Sequence, residues 1–277
     1  MHSNNLSNAC GDVRSPFARS AGSIGRTKFK PRNQLLGALP CEDLLTLWPD
    51  LQPVPLVRGT VLFAADEPLT RVYFVETGVV SLVALFEDCT TSEMAMVGRE
   101  GVVGLGTLLG GDAAFGQCVV QAPGLALAIE ASRFRSAIRT TPSLRAACEA
   151  YARAFLREAL QTAACNSVHL VEERCARWLL MCHDRSNGKT LSLTQGYLAE
   201  MLGVCRSTVT VAAGALQRAG LIRYRRGAIE VLDRTGLEAA ACECYCIIRD
   251  HYRRLLSRSG EPLPSDGCER PLSGTFG

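Results

Sequence analysis

The spacing of apolar residues changes several times along the chain. Over residues 60–63, 72–76, 79–86, 92–97, 117–121 and 125–129 it is short and alternating or continuous. These runs are separated by Asp66-Glu67-Pro68, by Gly78, by Glu87-Asp88 and by the glycine-rich segment 98–112. Many short strands with frequent turn residues predict a jelly roll or barrel. Residues 131–139 predict a short helix packed on its end. Pro142 then opens a long helix to about Cys165, in which Leu144, Cys148, Tyr151, Phe155, Glu158 or Ala159, and Thr162 recur at spacings of four and three. Such a stripe faces either the chain's own core or a second copy. Its narrowness favours a parallel dimer seam through Leu144, Cys148, Tyr151, Phe155 and Thr162.

Asn166-Ser167 is expected to break that helix, and another follows over residues 168–184. Asn187-Gly188 is read as a turn. The most specific pattern is Leu191-Ser-Leu-Thr-Gln-Gly-Tyr-Leu-Ala-Glu-Met-Leu-Gly-Val-Cys-Arg-Ser-Thr-Val-Thr210. Thr194 is a good N-cap, and Tyr197, Leu198, Met201 and Leu202 share one helical face. Gly203 supplies the turn. Val209, Ala212 or Ala213, and Leu216 give a second helix its buried side, with Arg206, Ser207 and Thr210 opposite. Gly220 closes that helix. Residues 221–232 then read as two short strands around Arg226-Gly227. Helix, turn, helix and basic hairpin together predict a winged helix-turn-helix, and hence double-stranded DNA as partner. A final helix over residues 236–256, capped by Thr235, carries the stripe Leu237, Ala241, Cys244, Ile248 and Leu255.

The charge distribution supports this reading. Residues 1–39 carry six basic and one acidic residue, and residues 40–140 carry six basic and twelve acidic. Residues 166–256 carry thirteen basic and nine acidic, so a polyanion is repelled by the middle and drawn to the C-terminal part. No apolar run is long enough to span a membrane and no secretory leader is evident, so no membrane association and a cytoplasmic location are expected. Five regions follow: a disordered basic tail 1–35, a β-roll 36–141, a dimerisation helix 142–165, a DNA-binding domain 166–256 and a disordered tail 257–277. The fold class is α+β.

At the DNA, Arg206 offers a planar fork that can donate twice to a guanine edge, with Ser207 and Thr210 as further base readers. Thr194, Gln195 and Thr208 can hold phosphate, and Arg223, Arg225 and Arg226 add attraction that weakens with salt. Cys205 stands at the N-terminus of the reading helix beside Arg206. Both features lower a thiol pKa, so Cys205 is a candidate redox residue or an inert exposed thiol.

There are thirteen cysteines and no C-x-x-C pair. Cys242, Cys244 and Cys246 invite a metal reading, but on one continuous helix alternate residues point in different directions. Packing is the expectation there, with no metal site and no cofactor assigned. The segment 60–129 contains no histidine, which removes the ligands of a cupin-type metal enzyme, so no enzymatic activity is expected.

In this order, an acidic β-roll, a long helix and a C-terminal winged helix-turn-helix resemble the cyclic-AMP receptor/FNR (Crp/Fnr) family of bacterial transcription regulators. Arg71-Val-Tyr-Phe-Val-Glu-Thr-Gly-Val-Val-Ser-Leu82 is similar to the family's strand-turn-strand, and Val97-Gly-Arg-Glu-Gly-Val-Val-Gly-Leu105 to its pocket entry. The resemblance implies a homodimer on a near-palindromic site, contact with RNA polymerase, and a cyclic-nucleotide-binding-like sensor roll. Two departures stand out. Where the family's nucleotide binders place Glu and an Arg-Ser or Arg-Thr pair, this chain has Val102 or Val103 and Gly116-Gln117-Cys118, with no basic residue between Arg99 and Arg133. A cyclic phosphate would lack its charged partner. The only cysteines ahead of the first predicted strand are Cys10 and Cys41, so the iron–sulfur ligand set of the oxygen sensors is missing. The expectation is a sequence-specific DNA-binding regulator acting as a homodimer, with the β-roll as sensor or effector domain. The alternatives are gating by thiol redox state or by a small molecule other than cyclic AMP and, behind these, a cyclic-nucleotide-responsive regulator. Ser207 stands where relatives often carry Glu, which changes the expected half-site.

Overall fold

The computed structural model describes residues 31–87, 91–186 and 190–256. Its first elements are α1 (Gln34–Gly37) and α2 (Cys41–Leu47), followed by strands β1 (Gln52–Leu56), β2 (Val61–Phe63), β3 (Arg71–Leu85), β4 (Thr91–Val97), β5 (Val102–Val103) and β6 (Gln117–Glu130). All six strands belong to one antiparallel sheet ordered β1-β6-β3-β4, with β2 on β6 and β5 on β3. Helices α3 (Ala131–Thr140), α4 (Pro142–Val168) and α5 (Val171–Arg185) follow. Strand β7 (Thr190–Ser192) leads into α6 (Gln195–Leu202) and α7 (Arg206–Arg218). The wing is β8 (Ile222–Arg225) and β9 (Ala228–Val231), and α8 (Arg234–Ala240) and α9 (Cys244–Leu256) close the chain's described part.

Ordered structure begins earlier than the boundary at residue 35. Asn33 is fully buried: its side chain accepts from the Leu35 and Leu36 N–H groups and donates to the Val75 and Gly101 carbonyls. The remainder of the expected N-terminal tail, the expected C-terminal tail and the Asn187-Gly188 turn lie outside the described residues. Gly78 is not a turn. It takes φ 92° within the continuous strand β3, where a Cβ would meet the Ala122 carbonyl oxygen at 2.7 Å, and the β3–β6 register shifts around it. Glycine here admits a close backbone approach rather than a reversal. Strand β1 escapes the alternation rule because Pro53 and Pro55 interrupt it. An edge position tolerates them, since a missing N–H there costs no ladder bond.

One continuous apolar core runs from Leu35 in α1 through the roll and α5 to the reading domain. Trp178 of α5 is buried, and its Nε1 donates to Glu93 Oε1 of β4 at 2.8 Å. Helix α6 packs on the same strand, and a Cβ on Gly203 would lie 3.0 Å from Ser92 Oγ. The reading domain is therefore seated on the roll of its own chain.

The expected dimer seam requires correction. Leu144, Cys148, Tyr151 and Thr162 are buried inside the chain, and Phe155 is partly buried against its core. Tyr151 stacks at a tilt on Tyr252 of α9, with ring centroids 6.3 Å apart. Glu158 on the same side binds Arg185 Nη2 at 3.0 Å and accepts from the Met96 N–H. The reason is geometric. Helix α4 is apolar on two sides, and its bulkier side takes the intrachain core. Its other side shows Leu156 and Leu160, 59% and 61% exposed.

Candidate nucleic-acid interface

Helix α6 starts at Thr194, whose hydroxyl accepts from the Tyr197 N–H at 3.2 Å. Gly203 ends it in the left-handed region, at φ 63° and ψ 40°, so the chain reverses without a Cβ penalty. Cys205 is the N-cap of α7 and Arg206 its first residue. Val209, Ala212, Ala213 and Leu216 bury the inner side of α7. The small alanines let α5 and α6 approach it closely.

The expected reading residues are brought together on the open side. Arg206, Ser207 and Thr210 are all exposed, and among the described residues Arg206 makes no ion pair. Thr210 Oγ1 donates to the Arg206 carbonyl at 2.9 Å and lies 3.1 Å from Gln195 Oε1. The base-reading and phosphate-holding candidates thus share one surface. Cys205 Sγ lies 3.1 Å from Ser207 Oγ and 2.9 Å from Thr208 Oγ1. These hydroxyls, Ser207's first, lower its pKa to about 7. The direction is the expected one, but its main cause is hydrogen bonding rather than the neighbouring Arg206.

The wing has the expected hairpin, with Arg225 paired to Ala228 across a two-residue turn. Arg226 and Gly227 both take positive φ, 47° and 76°, as a type I′ turn requires. Arg225 and Arg226 are exposed, and Arg223 forms a 3.2 Å pair with Glu230 directly opposite. Both partners of that pair are exposed, so it is worth about 0–1 kcal/mol and yields readily to a phosphate. Two supports escaped the sequence reading. Strand β7 pairs with β9, making the wing three-stranded, and Gln217 Oε1 accepts from the Tyr224 N–H at 2.8 Å, tying α7 to the wing. A three-residue strand has too little periodicity to be read.

Inside the roll a cavity is lined by Leu69, Val102, Val103, Leu105, Cys118 and Phe155 among other residues, none of them charged. At the C-terminal end, the expected single helix over residues 236–256 is divided into α8 and α9, and the cap is Asp233, which accepts from the Gly236 N–H. Cys242 lies in the break, so its thiol is freed from the helical geometry that would have pointed it away from Cys244. Cys242 and Cys244 converge with Cys165 and His169.

An acidic roll joined by a long helix to an exposed, cationic winged helix-turn-helix defines a class of DNA-binding regulator. A family model for the cyclic nucleotide-binding domain matches residues 53–141, and one for the Crp-like helix-turn-helix domain matches residues 173–240. Among solved structures, FixK2 from Bradyrhizobium japonicum superposes with a TM-score of 0.60 at 20% identity, covering 69% of this chain and 98% of that one. A CRP/FNR-family transcriptional regulator from Thermus thermophilus gives 0.56 at 25% identity, covering 69% and 98%. The c-di-GMP-responsive global regulator CLP from Xanthomonas campestris gives 0.57 at 19%, covering 69% and 99%. A comparison with curated proteins gives no match. The chain belongs to the Crp/Fnr family of transcription regulators, which are DNA-binding proteins and not enzymes. No helix among the described residues is long and apolar enough to cross a membrane.

Proposed function

We propose that the chain acts as a homodimer on a near-palindromic duplex, with α7 of each copy in the major groove of one half-site. The observation that carries this is Arg206: first in α7, exposed, without an ion pair among the described residues, and flanked by Ser207 and Thr210. Thr194, Gln195 and Thr208 border that surface and hold phosphate, as do Arg223, Arg225 and Arg226 on the wing. The dimer seam is the open side of α4, where Leu156, Leu160 and Ala163 recur at spacings of four and three. Contact with RNA polymerase and action in the cytoplasm follow from the family.

The roll is the sensor. The uncharged lining of its cavity favours an apolar over an anionic effector and gives a cyclic phosphate no cation to pair with. A second input is the thiol of Cys205, which sits on the reading surface with its pKa lowered to about 7. Selection from random duplex DNA, then titration of the winning site at fixed salt, tests the reading. A near-palindrome is expected, and Arg206→Ala should lose about 1–3 kcal/mol of specific affinity per half-site. Unchanged affinity would show that α7 does not read in this register.

A further inference from the structure

Cys165 lies in the last turn of α4, and His169 follows the helix four residues later on the same face. Cys242 sits between α8 and α9, and Cys244 opens α9. The two pairs are far apart in sequence, yet their donor atoms all lie within 4.8 Å of one another. Cys165 Sγ is 3.5 Å from Cys242 Sγ, and Cys244 Sγ is 3.6 Å from His169 Nδ1. The sulfur pair is far longer than the ~2.05 Å of a disulfide. A tetrahedral ion with bonds of about 2.3 Å to sulfur and about 2.0 Å to nitrogen has ligand–ligand edges of roughly 3.5–3.8 Å. Both measured separations match such edges.

The surroundings fit a built site. The thiols of Cys165, Cys242 and Cys244 are buried and form a cluster of their own, separate from the main apolar core. His169 Nε2 lies 3.2 Å from Glu243 Oε1, which turns Nδ1 toward Cys244. An imidazole oriented by a carboxylate is the usual support for a metal-ligating histidine. Gln161 Nε2 donates to Cys244 Sγ at 3.1 Å. Arg177 and Arg174 of α5 act electrostatically on Cys165, offsetting the excess negative charge of a three-thiolate set. The His169 side chain is partly exposed and gives the ion an entry path.

We propose that Cys165, His169, Cys242 and Cys244 form a closed tetrahedral site for a soft divalent cation of the zinc type. Three sulfurs and one imidazole exclude magnesium and calcium, which take oxygen ligands. Four protein ligands leave no open position, so the ion's role is structural. It fastens the end of the long helix to the α8–α9 junction. Arg174, one turn into α5, donates through Nη2 to the Leu202 carbonyl at the end of α6. Arg174 is also in electrostatic range of Cys165 and Cys242, so the site adjoins the side chain that holds the end of α6.

The test uses the full chain, purified with a thiol reductant and without chelator, and measures metal by plasma mass spectrometry. Close to one zinc per chain is expected. Cys41→Ser, at an exposed thiol on α2, should keep the metal, and Cys165→Ser and Cys242→Ser should lose most of it. The metal-free wild-type chain is also titrated with Co²⁺, which needs no variant to fold. Visible bands of tetrahedral cobalt with thiolate charge transfer support the site. Absence of those bands, metal content indifferent to Cys165→Ser and Cys242→Ser, or a Cys165–Cys242 disulfide in the reduced protein would overturn it.

Discussion

Cys205 and its two hydroxyl neighbours show how much one position at a helix start can carry. Its sulfur is fully exposed, so the surrounding water screens it, and only local hydrogen bonds distinguish it from a free thiol. With the pKa lowered to about 7, iodoacetamide should modify Cys205 with a rate that rises through neutral pH, below the ~8.5 midpoint of an ordinary cysteine. The modified chain should lose its operator in a gel shift, because the adduct stands beside Arg206, and Cys205→Ser should be protected. A reaction midpoint unmoved by Ser207→Ala would sink the hydroxyl explanation. The thiol's position was legible in the sequence because an N-cap, an exposed arginine and a turn glycine are local signals. The role of Ser207 was not, since it depends on a rotamer. Arg226 is a similar case. Its φ of 47° is a conformation that glycine or asparagine adopts more easily, so a cation is kept at the wing tip against the backbone's preference.

Among the elements, the joint between β4 and α5 has the most marked chemistry. Glu93 is buried, with Trp178 donating to one oxygen and Ser81 Oγ 2.6 Å from the other. Burial pushes its pKa up to about 7, with the hydrogen bonds from Ser81 and Trp178 opposing. A neutral acid satisfies the cluster, because its O–H can donate to Ser81, whose own hydroxyl then donates to Gln121. The folded pKa lies above the unfolded value of about 4.3, so this group favours folding at low pH. The benefit is lost as pH rises from there through about 7, amounting to roughly 3–4 kcal/mol. Melting temperature measured between acid and alkaline pH should fall across that window in wild type and be flatter in Glu93→Gln. Equal slopes would show that Glu93 is ionised throughout. Nearby, Arg185 joins Glu100 at 2.6 Å to Glu158 at 3.0 Å. Burial opposes its charge, but the two carboxylates outweigh that and hold its pKa well above the ordinary value. These contacts join residues far apart in sequence, so no spacing rule could announce them. Helix α3 and the reading helices, by contrast, follow directly from local periodicity and caps.

For the whole molecule, the proposed assembly rests on the long helix. Its periodicity was legible, but which side meets the chain's own core was not, because burial against α9 is a long-range event. Leu156 and Leu160 are two large apolar residues left on its open side, each worth about 1.5–3 kcal/mol if a second copy covers it. Leu160→Glu should shift the sedimentation coefficient from dimer toward monomer with little change in melting temperature, since the residue is exposed in the single chain. An unchanged mass would move the seam elsewhere.

Strand β4 has its end residue Val97 on the roll's cavity and Ser92 beside the turn glycine Gly203, with Glu93 holding Trp178 in between. Cavity and reading head are thus the two ends of one seven-residue strand, about 17 Å of stiff backbone apart. If the cavity is the input proposed above, each subunit holds both input and output on one strand. Under that proposal, a dimer with one occupied cavity would carry two heads set differently on the two halves of one operator. Graded occupancy would then become graded asymmetry on the DNA.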